Sequence, residues 1–190
     1  MKKRYSETTK QILSYLALGC AITIVGILSP HTITNIARVL IKNRKLFKKE
    51  IEAWKITQIL KRLEKNRVII VHEKKFGEYT VELTDKGKRK MQEIRFEDLK
   101  IEKPAKWDKR WRMVIFDVPE GLRTGRDALR EKLQKLGFFL IQKSVWVLPW
   151  PCEKEVLFLC ELFDVLPFVN ILTVEKLYND VKVRQFFHLV

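Results

Sequence analysis

The sequence predicts an α+β protein built from two modules, and three observations lead there. Charge is divided unevenly: residues 1–110 hold 27 Lys/Arg against 13 Asp/Glu, whereas residues 111–190 hold 11 against 10. The hydrophobic period changes from 3.6 to 2 near Val68, so helices give way to a hairpin. Beyond Trp111, apolar strands and amphipathic helices follow one another in the order β-α-β-β-α-β.

In the first module, Ser29-Pro30 starts a helix, because Ser can cap and Pro fits the first helical position. Ile33, Ile36, Val39 and Leu40 then recur at helical spacing to about Asn43. A basic connector follows, with Lys42, Arg44, Lys45, Lys48 and Lys49. The next helix spans about Glu50 to Asn66, with Ile56, Ile59, Leu60 and Leu63 on one stripe and Lys55, Gln58, Lys61, Arg62 and Lys65 opposite. Val68–Val71 and Tyr79–Leu83 read as strands around a Lys74–Gly77 turn, and Thr84-Asp85 caps a helix from Lys86 to about Arg95. This order predicts a winged helix-turn-helix over residues 30–95. Residues 96–110, polar and carrying Pro104, read as a linker.

The second module, residues 111–190, opens with the strand Met113–Phe116. A helix from Gly121 to Leu136 is stopped by Gly137. Phe138–Ile141 and Val145–Leu148 are strands, Cys152–Phe163 a helix and Phe168–Val174 a fourth strand. The expected fold is ferredoxin-like βαββαβ.

Residues 1–29 are expected to form one apolar N-terminal helix. No residue from Ile12 to Leu28 is charged, and Lys2, Lys3, Arg4 and Lys10 precede the run. Either the helix is buried in the core, or it anchors the chain to a membrane with its basic flank inside, giving a membrane-tethered adaptor. Cys20, Cys152 and Cys160 form no CxxC pair and read as buried thiols in a reducing cytoplasm. His31, His72 and His188 are scattered, so no zinc site is expected.

The net charge of +15 points to a polyanionic partner. A helix with a basic free face, followed directly by a hairpin with Lys at its tip, suits double-stranded DNA. Gln58 and Arg62 are then placed to read base edges, and Lys55, Lys61, Lys65, Lys74 and Lys75 to neutralise phosphates. The plain alternative is a solvated charged face. Trp107, Trp111, Phe116, Phe138, Phe139, Trp146 and Trp150 lie on or beside strands, where packing is expected rather than base stacking. Ser144 has no His or Asp placed to activate it.

Residues 31–91, with Leu83-Thr84-Asp85-Lys86-Gly87 closing the hairpin, resemble winged helix-turn-helix repressors. Phe116-Asp117-Val118-Pro119, Arg126, Gly137 and Gln142-Lys143-Ser144-Val145-Trp146 resemble the CRISPR-associated Cas-two nuclease fold. The PaaX-like transcriptional repressors fuse that fold behind a winged helix, and the chain resembles them in this order. The resemblance implies a dimeric DNA-binding regulator without a required cofactor, its second domain pairing with its twin and open to a small-molecule effector. It also leaves an alternative, a magnesium-dependent endonuclease. In that family an acidic residue at the end of the first strand binds the metal between two protomers, and Asp117 holds that place. Otherwise Asp117 is expected to cap the loop Val118–Glu120 or the helix behind it.

Overall fold

The computed structural model describes residues 5–17, 22–25, 32–42, 52–74 and 78–189. They belong to two compact units, Met1–Glu97 and Asp98–Val190. The first contains α1 (Glu7–Ala17), β1 (Ile22–Val25), α2 (Thr32–Lys42), α3 (Ala53–Lys65), β2 (Ile69–Lys74), β3 (Glu78–Leu83) and α4 (Asp85–Asp98). Its antiparallel sheet has the order β1-β3-β2, with Ile22 opposite Val81 and Val71 opposite Val81 on the other side.

The expected single helix over residues 1–29 is overturned. Ser6 opens α1, its hydroxyl accepting from the Thr9 amide at 3.2 Å, and the helix ends at Ala17. Ile22–Val25 is a strand instead. Ile22, Thr23, Ile24 and Val25 are all β-branched, which favours a pleated strand over a helix, and the edge of β3 offers them a ladder. Nor is α1 a separate appendage. Ile12, Leu13 and Leu16 enter one core with Ile36, Leu40, Ile56, Leu60, Leu63, Val81 and Ile94. Among the described residues, no helix is long and apolar enough to cross a membrane.

The junction from β3 into α4 explains the Leu83–Gly87 pentapeptide. The Thr84 hydroxyl donates to the Arg67 carbonyl at 2.7 Å and accepts from the Gly87 amide at 3.1 Å. The Thr84 amide donates to the Val68 carbonyl at 3.1 Å. A Cβ on Gly87 would lie 2.1 Å from that same Val68 oxygen. Only glycine allows the helix to start so close to β2. The helix then runs to Asp98, further into the predicted linker than its periodicity suggests.

The second unit contains β4 (Trp111–Phe116), α5 (Arg123–Lys135), β5 (Phe139–Gln142), β6 (Val145–Leu148), α6 (Glu153–Leu162), β7 (Val169–Val174) and α7 (Val181–Phe187). The sheet order β5-β6-β4-β7, antiparallel throughout, is that of the ferredoxin-like split βαβ. Gly137 stops α5 as expected, at φ 87°. The sequence reading missed α7. Its Phe187 ring packs against Trp111 and Trp150, with centroids 6.3 and 5.6 Å away. Trp111, Phe116, Phe138 and Trp146 are buried, which is the packing role expected of them. Cys152 and Cys160 are free, buried thiols, and burial pushes them up to about 12 and about 11. Cys20 lies outside the described residues.

Arg112 is buried on β4, and its guanidinium donates to both Asp108 carboxylate oxygens at 2.8 and 2.7 Å. The Arg110 carbonyl at 3.1 Å accepts from it too, and a Glu153 oxygen stands 3.7 Å away. The hydrogen bond from Arg112 holds the Asp108 carboxyl below its ordinary value. A carboxyl lowered in the folded state adds stability above its unfolded pKa and loses it as pH falls through the folded one. Asp108 is partly exposed and Glu153 would remain, so Asp108→Ala is expected to cost about 2 kcal/mol at neutral pH. The urea midpoints of variant and wild type should converge well below pH 4. A gap that persists there would mean that the ion pair is not its source.

Candidate nucleic-acid interface

Helix α3 is positioned by its buried stripe. Ile56, Leu60 and Leu63 are sealed into the core, which turns Trp54, Lys55, Gln58, Lys61, Arg62 and Lys65 outward, all exposed. The helix ends in a Schellman turn: the Arg67 amide donates to the Glu64 carbonyl at 2.8 Å and the Val68 amide to the Leu63 carbonyl at 2.9 Å. Arg67 takes the left-handed conformation, φ 55°, that glycine usually supplies. Arg62 and Lys65 lie in the last turn, where the helix dipole favours cations.

The predicted residues are not equivalent on this face. Lys55 is committed to Glu52, with Nζ 2.9 Å from its carboxylate, and it lies over the Trp54 ring at 5.4 Å. The hydrogen bond from Lys55, then that from Trp54 Nε1 at 2.8 Å, lowers the Glu52 carboxyl. Gln58, Lys61, Arg62 and Lys65 stand together further along the helix. Lys74 ends β2, paired in register with Glu78, but its side chain is outside the described residues, as is the whole of Lys75.

Sequence reasoning missed Trp54, which is 54% exposed. It stands two residues before Ile56, on the side away from the buried stripe, and shares a row with Gln58 and Lys61 at i, i+4 and i+7. That spacing was the available signal. Arg62 also lines an open cleft with Asn66, Lys86, Arg89 and Lys90, which no local pattern reveals.

In the second unit, Asp117 follows β4, its amide donating to the Phe168 carbonyl at 3.0 Å. Its side chain is exposed and caps nothing. Pro119 and Leu122 occupy the cap positions of the short turn and of α5, without side-chain cap bonds. The nearby acids are taken by arginines, Glu120 with Arg126 at 3.1 Å and Asp127 with Arg123 at 3.5 Å. Within one chain, the described residues hold no group of three or more His, Cys, Asp or Glu that could bind a metal ion. One carboxylate per chain does not make a magnesium site by itself.

Residues 104–185 match the family described as the PaaX protein central Cas2-like domain. No curated protein matches the chain. The match covers nearly all of the ferredoxin-like unit, including Asp117, Arg126 and the segment Gln142–Trp146. That unit is similar to the Cas2-like domain of PaaX proteins, and through it the chain resembles that family.

Proposed function

We propose that this PaaX-like protein is a DNA-binding transcriptional regulator, a repressor that acts as a homodimer in the cytoplasm. The observation that carries the reading is the first unit's arrangement. Its order α-β-α-α-β-β and its sheet order β1-β3-β2 fit a winged helix, with α3 as the recognition helix and β2-β3 as the wing. The face that α3 leaves in solvent is basic, and the unit holds 22 Lys/Arg against 10 Asp/Glu. Lys61 and Lys65 supply charge for phosphates, and Gln58 and Arg62 have the side chains for base edges.

Dimerisation is assigned to the second unit. Met113 and Leu172 are opposite each other in register, as are Ile115 and Val145, so all four share one face of the sheet. Leu172 is exposed and the other three are only half-buried. A second copy would cover this apolar face and hold two recognition helices at fixed spacing.

Selection of genomic fragments by the purified full chain, with and without magnesium, tests the proposal. A recurrent duplex bound without magnesium, by a chain that sediments as a dimer, is the expected result. Failure to enrich any duplex would sink it. Magnesium-dependent cleavage lost in Asp117→Asn would replace it with the nuclease reading.

A further inference from the structure

We propose that the cleft between the start of α1, the end of α3 and the first turns of α4 holds a backbone phosphate of the bound DNA. This rests on the DNA-binding reading and adds a second element, α4, to the interface. The cleft has a volume of about 660 Å³. Arg62 reaches it from α3, and Lys86, Arg89 and Lys90 from α4, where spacings of three and four residues put them on one side of the helix.

The cations differ in availability. Lys90 is largely buried, paired with Glu93 and lying over the Tyr5 ring at 5.9 Å, so it forms part of the wall. Lys88, on the other side, is paired with Asp85 at 3.3 Å. Lys86 and Arg89 are exposed at the mouth, and Arg89 Nε makes only a long contact of 3.4 Å to the Asp85 carbonyl. Glu93, the acid among the lining residues, is on Lys90. The other polar side chains are neutral: Ser6, Thr9, Tyr5 and Asn66. Asn66 Nδ2 donates to the Arg62 carbonyl at 2.8 Å, tying down the helix end from which Arg62 projects.

Three cations around an open mouth, with the nearby carboxylate already neutralised, favour an anion with several acceptor oxygens. The source follows from continuity. Arg62 belongs both to the cleft and to the exposed row that carries Gln58, Lys61 and Lys65, so a duplex lying along α3 brings its backbone to the cleft mouth. Arg62 is thereby moved from the base-reading role expected from the sequence to a phosphate contact, which leaves Gln58 to read bases.

The test compares the full-length wild type, Lys86→Gln with Arg89→Gln, and Lys61→Ala with Lys65→Ala, on a random-sequence duplex. Each lost phosphate contact should flatten the log–log dependence of affinity on salt by about 0.9, so the α4 variant should lose about 1.8. Its melting temperature should stay at the wild-type value, because both side chains are exposed. An unchanged slope and affinity in the α4 variant, with binding lost in the α3 variant, would overturn the cleft contact and leave the regulator reading standing. Thermal stabilisation by inorganic pyrophosphate that the α4 variant loses, with its DNA slope unchanged, would also overturn it and assign the cleft to a free anion. If the wild type binds no duplex, both readings fall together.

Discussion

Changing Lys61, Arg62 and Lys65 together to Ala is expected to bring DNA binding close to zero while the fold survives. All three side chains are exposed on α3, and the buried stripe of Ile56, Leu60 and Leu63 is untouched. Three phosphate contacts account for about 2.7 units of the log–log salt slope, so at about 0.1 M salt they carry about 2.7 decades of affinity. A fluorescence-anisotropy titration over a salt series reads both quantities. Wild-type affinity and slope in the triple variant would move the interface off α3. Lys55→Ala should matter less, because Glu52 already holds that ammonium.

The second large effect concerns stability. Gly87→Ala places a Cβ 2.1 Å from the Val68 carbonyl oxygen, which is backbone and belongs to the turn that closes α3. Neither partner can rotate away. The strain must shift the start of α4 and pull on the Thr84 bonds to Arg67 and Gly87. A cost of about 3 kcal/mol is expected, which for a unit of this size lowers the melting temperature by roughly 12–24 °C. Gly121→Ala is the control, since nothing lies within 4 Å of its Cβ. Equal melting temperatures for the two variants would show that the Val68 contact does not limit the junction.

The same junction shows what a sequence can and cannot convey. Thr84 and Gly87 are recognisable as a cap and a special position, but the reason for the glycine is a carbonyl nineteen residues upstream. The end of α3, expected at about Asn66, falls at Lys65 with Asn66 as its cap. The left-handed position beyond it holds Arg67 rather than the usual Gly or Asn, so the change of period, not the cap residue, marks it in the sequence. The uncharged run at the start hides a change from helix to strand, because hydrophobicity alone carries no period. What separates Ile22–Val25 from the helix before it is β-branching and a partner strand. The basic face of α3 was legible because one helix makes it, and a helix obeys a single period. The cleft was not, because it needs Tyr5, Arg62 and Arg89 together, and only the packing of three helices brings them there. In the second unit, α7 escaped notice for a similar reason. Its pattern is short, and its place depends on Trp111 and Trp150.

The distribution of the five tryptophans has an optical consequence. Trp54 is the first unit's indole, exposed beside the basic row of α3, while Trp107, Trp111, Trp146 and Trp150 belong to the second. A water-exposed indole emits further to the red and is open to dissolved iodide, whereas the buried Trp111 and Trp146 emit to the blue and are shielded. The unlabelled protein thus carries two separable fluorophore classes. The shielded blue component reports whether the Cas2-like unit is intact, while Trp54 shares the quenchable component with the half-buried Trp107 and Trp150, so only its change on adding DNA reports what approaches α3.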